Sequence, residues 1–146
     1  MKCIAKILNT ANIYTRKKLS MSRLFVDTNI LMEIMMGRSK TKQISKIFHS
    51  PDYEFFISAL TVHILYYFAE VEAIDQNFVR KLVGLAKHLP INEKMIVLAQ
   101  RRYRGKDFED CLQAACAEQT DCHEILSLDK KFHQNSGTKL KVLSVD

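Results

Sequence analysis

Asp27, Asp110 and Asp129 stand in three separate segments, and each is placed where its carboxylate can reach one common crevice. Arg23-Leu24-Phe25-Val26 is an apolar run that ends at Asp27, and a strand read over Glu124–Leu128 ends at Asp129. In an open parallel sheet the ligand site lies beyond the carboxyl ends of the strands, so both acids would point into it. Asp110, with Asp107 one turn before it, lies on a helix entering the same region. No basic partner for these acids is fixed by the sequence. Two unit charges about 4 Å apart cost roughly 4 kcal/mol at an effective dielectric near 20, so bare acids would protonate or recruit a cation. Oxygen-only ligation suits Mg2+ or Mn2+, hard ions that keep several waters and hold phosphate oxygens directly. Taken singly, Asp27 and Asp129 read equally well as helix caps, and Asp107 reads as an N-cap; three elements converging on one crevice weaken that explanation.

The elements that must position these acids follow from hydrophobic periodicity. After Asp27, Leu31, Ile34 and Met35 predict a helix that Gly37 closes, and Ile44, Ile47 and Phe48 predict another. Ser50-Pro51-Asp52 breaks the chain before a strand at Tyr53–Ile57. Ser58 caps a helix with the stripe Leu60, Ile64, Tyr67, Phe68 and Val71, and a further stripe of Phe78, Leu82, Leu85 and Leu89 ends at Pro90. Asn92 caps the next helix. From Asp107, the residues Phe108, Leu112, Ala115 and Cys116 line one helix face, and Lys139–Val145 reads as a last strand. Strands alternating with helices predict an α/β chain, with a mainly parallel central sheet covered on both faces.

Composition narrows the class. The chain has 146 residues, is 47% hydrophobic and carries a formal charge of +6, which fits one compact domain over residues 21–146. Lys2, Lys6, Arg16, Lys17 and Lys18 supply five of its 22 basic residues, leaving 17 against 16 acids from residue 21 onward. Residues 1–20 therefore read as a basic, disordered extension, and the remainder is close to neutral. Cys3, Cys111, Cys116 and Cys122 form no CxxC pair and read as reduced thiols of a cytoplasmic protein. A zinc site from Cys111, Cys116, Cys122 and His123 is disfavoured by the spacing of the first two on one helix. No membrane span is expected, because polar residues interrupt the apolar stretch 53–69. An aspartate-nucleophile phosphatase would need a second acid two residues after the first, where Asn29 stands, and no phosphate-binding glycine loop occurs.

Three segments resemble the PIN domain family, including its VapC-like toxin nucleases: Leu24-Phe25-Val26-Asp27-Thr28-Asn29-Ile30-Leu31, Ile57-Ser58-Ala59-Leu60-Thr61-Val62, and Asp107-Phe108-Glu109-Asp110 with Leu126-Ser127-Leu128-Asp129-Lys130-Lys131-Phe132. The resemblance implies an α/β/α sandwich, a site of four acids binding Mg2+ or Mn2+, and metal-assisted cleavage of RNA. Asp27, Asp110 and Asp129 match three of the four acids as catalytic and metal-holding residues. Ile64 stands where the family has a glutamate, which keeps open a second reading: a PIN-fold module that has lost catalysis and binds RNA or protein. On the first reading, Asn29 and Ser127 are candidates to orient the carboxylates. Arg101, Arg102, Arg104 and Lys106, with Tyr103 among them, are candidates to hold the RNA backbone, or else a solvated helix end complementing its dipole. The resemblance also implies a homodimer and, for a toxin, a small antitoxin partner.

Overall fold

A computed structural model describes residues 21–146, so the basic extension at 1–20 lies outside the described residues. The elements run β1 (Ser22–Val26), α1 (Thr28–Met35), α2 (Thr41–Phe48), β2 (Tyr53–Ser58), α3 (Ala59–Val71), α4 (Gln76–Val83), β3 (Lys87–Leu89), α5 (Glu93–Arg102), α6 (Phe108–Gln119), β4 (Glu124–Leu126), α7 (Phe132–Ser136) and β5 (Lys141–Leu143). The five strands form one sheet in the order β3-β2-β1-β4-β5, with all four pairings parallel.

Side chains alternate across a strand, and β1 shows how that builds three layers. Leu24 and Val26 face a core with Phe55, Ile57, Leu65, Val79 and Leu82, contributed by β2 and helices α3 and α4. Phe25 faces the opposite core with Phe56, Met95, Leu112, Cys116, Ile125 and Phe132. Leu24, Phe25 and Val26 are all fully buried, as a central strand covered on both faces requires. The architecture is thus the α/β/α sandwich that the sequence predicts, with a sheet that is parallel throughout. Among the described residues no helix is long and apolar enough to cross a membrane.

Three expectations about elements change. The stripe ending at Leu89 is not one helix: α4 stops at Val83, and Lys87–Leu89 is a short edge strand paired with β2 at Phe56–Ser58. Helix α3 turns a different face inward. It buries Thr61, Leu65 and Ala69, whereas Tyr67 and Val71 are 57% and 61% exposed and Phe68 is 38% exposed. This helix is apolar on most of its circumference, so periodicity alone does not choose its buried side. The last two strands are also shorter than read, ending at Leu126 and Leu143, which leaves Ser127–Asp129 as a loop beyond β4.

Strand order reverses beside β1: the chain first builds outward through β2 and β3, then returns to place β4 and β5 on the other side. Such a switch point opens a crevice at the carboxyl ends of the two adjoining strands. β1 and β4 are in register at Val26 and Leu126, and the Asp27 amide donates to the Leu126 carbonyl at 2.9 Å. Asp27 and Ser127 are thereby held side by side.

Candidate functional site

Asp27 occupies the N-cap position of α1 but makes no side-chain cap bond. Its carboxylate turns to the neighbouring loop, where Ser127 Oγ donates to Oδ2 at 2.6 Å. Ser127 Oγ in turn accepts from Asn29 Nδ2 at 3.1 Å and from the Asp129 amide at 3.1 Å. With both acceptor sites of the hydroxyl used, its single proton is committed to Asp27. Asn29 is itself fixed, since its Oδ1 accepts from the Leu128 amide at 3.1 Å. The two residues read as carboxylate-orienting from sequence therefore form one directed chain, Asn29 to Ser127 to Asp27.

Asp129 is ordered by its own loop. Oδ1 accepts from the Lys131 amide at 2.8 Å, and Oδ2 accepts from Asn135 Nδ2 at 3.1 Å. Asn135, on α7, also hydrogen-bonds Asp110, so one amide ties two of the acids. Asp107 acts as the N-cap of α6, its side chain accepting from the Asp110 amide at 3.1 Å.

These acids share a cleft of about 600 Å3. Asp27, Asp107, Glu109, Asp110 and Asp129 line it, together with Thr28, Asn29, Glu33 and Asn135. Its electrostatics register the crowding. Burial pushes Asp27 up to about 7, against the opposing Ser127 hydrogen bond, and the charges of Asp110 and Glu109 add to the rise. Asp110 is pushed up to about 6, by burial first and then by the charges of Asp107, Asp129 and Glu109. Glu109 is raised by burial and by Asp107, while hydrogen bonds from Thr28 and Gln113 oppose the rise. The donor set is all oxygen and strongly anionic, the chemistry a hard divalent cation matches. The carboxylates do not close into a preformed cage: among the described residues no three His, Cys, Asp or Glu side chains converge on one point.

Sequence reasoning missed Glu109, and its support is a buried polar cluster behind the cleft. Gln113 Nε2 donates to Thr28 Oγ1 at 2.7 Å and to Thr61 Oγ1 at 3.0 Å, and Gln113 Oε1 accepts from Ser58 Oγ at 2.6 Å. Thr28 and Thr61 hydroxyls meet at 2.8 Å. Thr28, Ser58, Thr61 and Gln113 are all buried, and among the described residues no buried side-chain polar atom lacks a partner. Thr28 and Gln113, both members of this cluster, in turn oppose the rise that burial causes at Glu109. Glu109 thus hangs on a fixed donor one residue from Asp27. A polar residue three positions after Asp110, on a helix face otherwise apolar, was the available signal.

The basic residues expected to hold RNA are placed elsewhere. Arg102 forms a forked pair with Glu118, at 3.2 Å and 2.6 Å. Although burial works against it, Glu118 is held below the usual carboxylate range by Arg102, Thr138 and the Lys139 amide. Arg101 lines a separate depression with Glu93, Lys94, Val97, Leu98 and Gln119. Arg104 and Lys106 are exposed on the segment before α6, and Tyr103 rests edge-on against Phe108. None of the four basic residues lines the acidic cleft; its basic residue is Arg38.

Comparison with known proteins agrees with this fold. The sequence profile of a family described as PIN domain matches residues 24–137. No curated protein matches the chain. Among solved structures, a toxin–antitoxin complex from Klebsiella pneumoniae contains a chain of similar fold, with TM-score 0.65 and 20% identity over 86% of this chain and 98% of that one. VapBC2 from Rickettsia felis, solved bound to a DNA fragment from its promoter, gives TM-score 0.63 at 14% identity, over 85% and 99%. VapC20 from Mycobacterium tuberculosis, described as a sarcin–ricin loop cleaving toxin, gives TM-score 0.63 at 13% identity, over 76% and 93%.

Proposed function

The chain belongs to the PIN domain family, and from that membership we propose that it is a metal-dependent ribonuclease hydrolysing RNA phosphodiester bonds. The observation that carries this reading is the cleft, where four carboxylates from three segments, Asp27, Glu109, Asp110 and Asp129, stand with a single guanidinium. Carboxylates whose ionisation is suppressed by burial and neighbouring charge, as at Asp27, Glu109 and Asp110, belong at functional sites more often than in structural frameworks.

In this proposal Asp27, Asp110 and Asp129 hold Mg2+ or Mn2+. Glu109 supplies the fourth carboxylate from α6, on a cleft whose α3 wall is apolar at Ile64. A bound divalent ion of this kind lowers the pKa of a water and offsets charge developing on the scissile phosphate. The chain's own contribution is orientation. Ser127 and Asn29 fix the Asp27 carboxylate, Asn135 fixes Asp110 and Asp129, and Thr28 with Gln113 fixes Glu109. Asp107 completes the N-terminus of α6, so its role is to seat Asp110.

The fold likeness to chains of toxin–antitoxin complexes supports extending the proposal to a small antitoxin partner, and family membership extends it to a second copy of this chain in a homodimer. A cytoplasmic location accords with that role. Ile64 favours a second reading, a PIN-fold module that has lost catalysis and keeps RNA or protein binding. Calorimetric titration of the full chain with Mn2+ separates the two. The nuclease reading predicts one site, weakened at least tenfold by either Asp110→Asn or Glu109→Gln; absence of any Mn2+ binding by the wild-type chain favours the lapsed module.

A further inference from the structure

The acidic cleft has an apolar side as well. Met32 from α1, and Ile64 and Phe68 from α3, line it together with the carboxylates. Ile64 and Phe68 are four residues apart and so stand one above the other on the same helix face. Phe68 is 38% exposed, and Tyr67 meets it edge-on with ring centroids 5.5 Å apart. Apart from that edge contact, the ring stands open to solvent at the rim of a charged cleft. The remaining lining residue of distinct chemistry is Arg38. Its backbone is pinned: its amide donates to the Glu33 carbonyl at 3.0 Å, its carbonyl accepts from Thr41, and buried Glu33 takes the Lys40 amide through Oε1 at 2.9 Å. Its guanidinium makes no hydrogen bond or ion pair among the described residues, although five carboxylates line the same cleft besides Glu33.

A ligand that meets both the apolar side and Arg38 must join a flat apolar face and an anionic group in one unit. A nucleotide unit does so by covalent structure, whereas a simple anion offers nothing to the apolar side. Resting on the ribonuclease reading and extending it, we propose that Ile64 and Phe68 form a subsite for one unstacked nucleobase beside the scissile bond, with Arg38 holding an adjacent phosphate. On this view the apolar side chain at position 64 serves substrate recognition. Stacking on an aromatic ring tolerates every base, so the subsite selects for an unpaired nucleotide and not for its identity.

The test is fluorescence anisotropy of the full chain in Ca2+ with labelled five-uridine RNA, and with the same RNA carrying an abasic nucleotide moved through each position. Phe68→Ala should weaken the intact RNA roughly 5- to 150-fold, the equivalent of the 1–3 kcal/mol that stacking contributes per base. It should leave unchanged the affinity for the abasic RNA whose gap coincides with the subsite, and Phe68→Trp should restore binding of the intact RNA. Arg38→Ala should flatten the salt dependence by about 0.7, one single-strand phosphate contact, and Arg38→Lys should restore it. Equal weakening of intact and all abasic RNAs by Phe68→Ala, or no weakening at all, overturns the subsite. A wild-type chain that binds no RNA overturns the ribonuclease reading, and the subsite with it.

Discussion

Asp27→Asn should change stability in opposite directions at low and high pH. Asp27 is 3% exposed, and burial lifts its pKa from 3.8 to about 7. Three units correspond to about 4 kcal/mol of differential stabilisation between its two protonation states. The sign follows from proton counting: between about pH 4 and 7 the folded chain keeps a proton that the unfolded chain has released, so stability falls as pH rises through that window. Above pH 7 the full cost of a buried carboxylate is present. Asparagine removes that cost but introduces another. Ser127 Oγ already accepts two hydrogen bonds and must donate to residue 27, and the Thr28 backbone also favours an acceptor there. An asparagine offers one acceptor to these two donors, leaving its amide against an N–H at a cost of about 1–3 kcal/mol. The net expectation in chelator is stabilisation of about 2 kcal/mol at pH 8 and destabilisation of similar size at pH 4. Urea unfolding of both proteins in EDTA at the two pH values reads this directly. A difference in unfolding free energy that is the same at pH 4 and pH 8 would refute the claim that Asp27 is held against its ionised form. Added Mg2+ should shrink the high-pH advantage, because binding to the folded wild-type chain stabilises it by mass action.

Gln113→Leu should cost about 2–4 kcal/mol in urea unfolding, since it removes the acceptor of Ser58 and a donor to each buried threonine. Apparent Mn2+ affinity, measured calorimetrically between pH 5.5 and 8, should rise with pH and level off above about 7, because Asp110 and Asp27 give up protons near 6 and 7 when a cation binds. Ser127→Ala removes the hydrogen bond that opposes the rise at Asp27, so the acidic limb of the cleavage pH profile should move to higher pH; an unmoved limb would contradict the assigned role.

Much of this architecture could be read from residues that obey one constraint at a time. Leu24-Phe25-Val26 is buried on both faces, so it shows as an unbroken apolar run, and the acid that follows it marks the strand end. Asn92 and Ser58 cap their helices through Met95 and Thr61 amides, as their types announce. Helix α3 obeys two constraints, of which apolar periodicity shows only one. Thr61 is drawn inward by hydrogen bonds to Thr28 and Gln113, which rotates Leu65 and Ala69 into the core and leaves Tyr67 outside. Lys87–Leu89 pairs with β2 as an edge strand, and the leucine spacing that appeared to continue α4 across it is coincidental. Asp27 and Asp110 were visible because one follows a strand and the other stands in the first turn of a helix, and Asp129 because it follows the apolar run of β4. Asn135, Glu33 and Arg38 join the cleft through tertiary contacts that no local spacing encodes.

The most direct test of the central claim is single-turnover cleavage of an end-labelled RNA pool by the full chain, with Mg2+ titrated against EDTA, comparing wild type with Asp27→Asn. Cleavage that requires the divalent ion and falls at least a hundredfold in the variant is the expected result. Cleavage that survives both chelation and Asp27→Asn, or no cleavage by the wild-type chain at any Mg2+ or Mn2+ concentration, would contradict it.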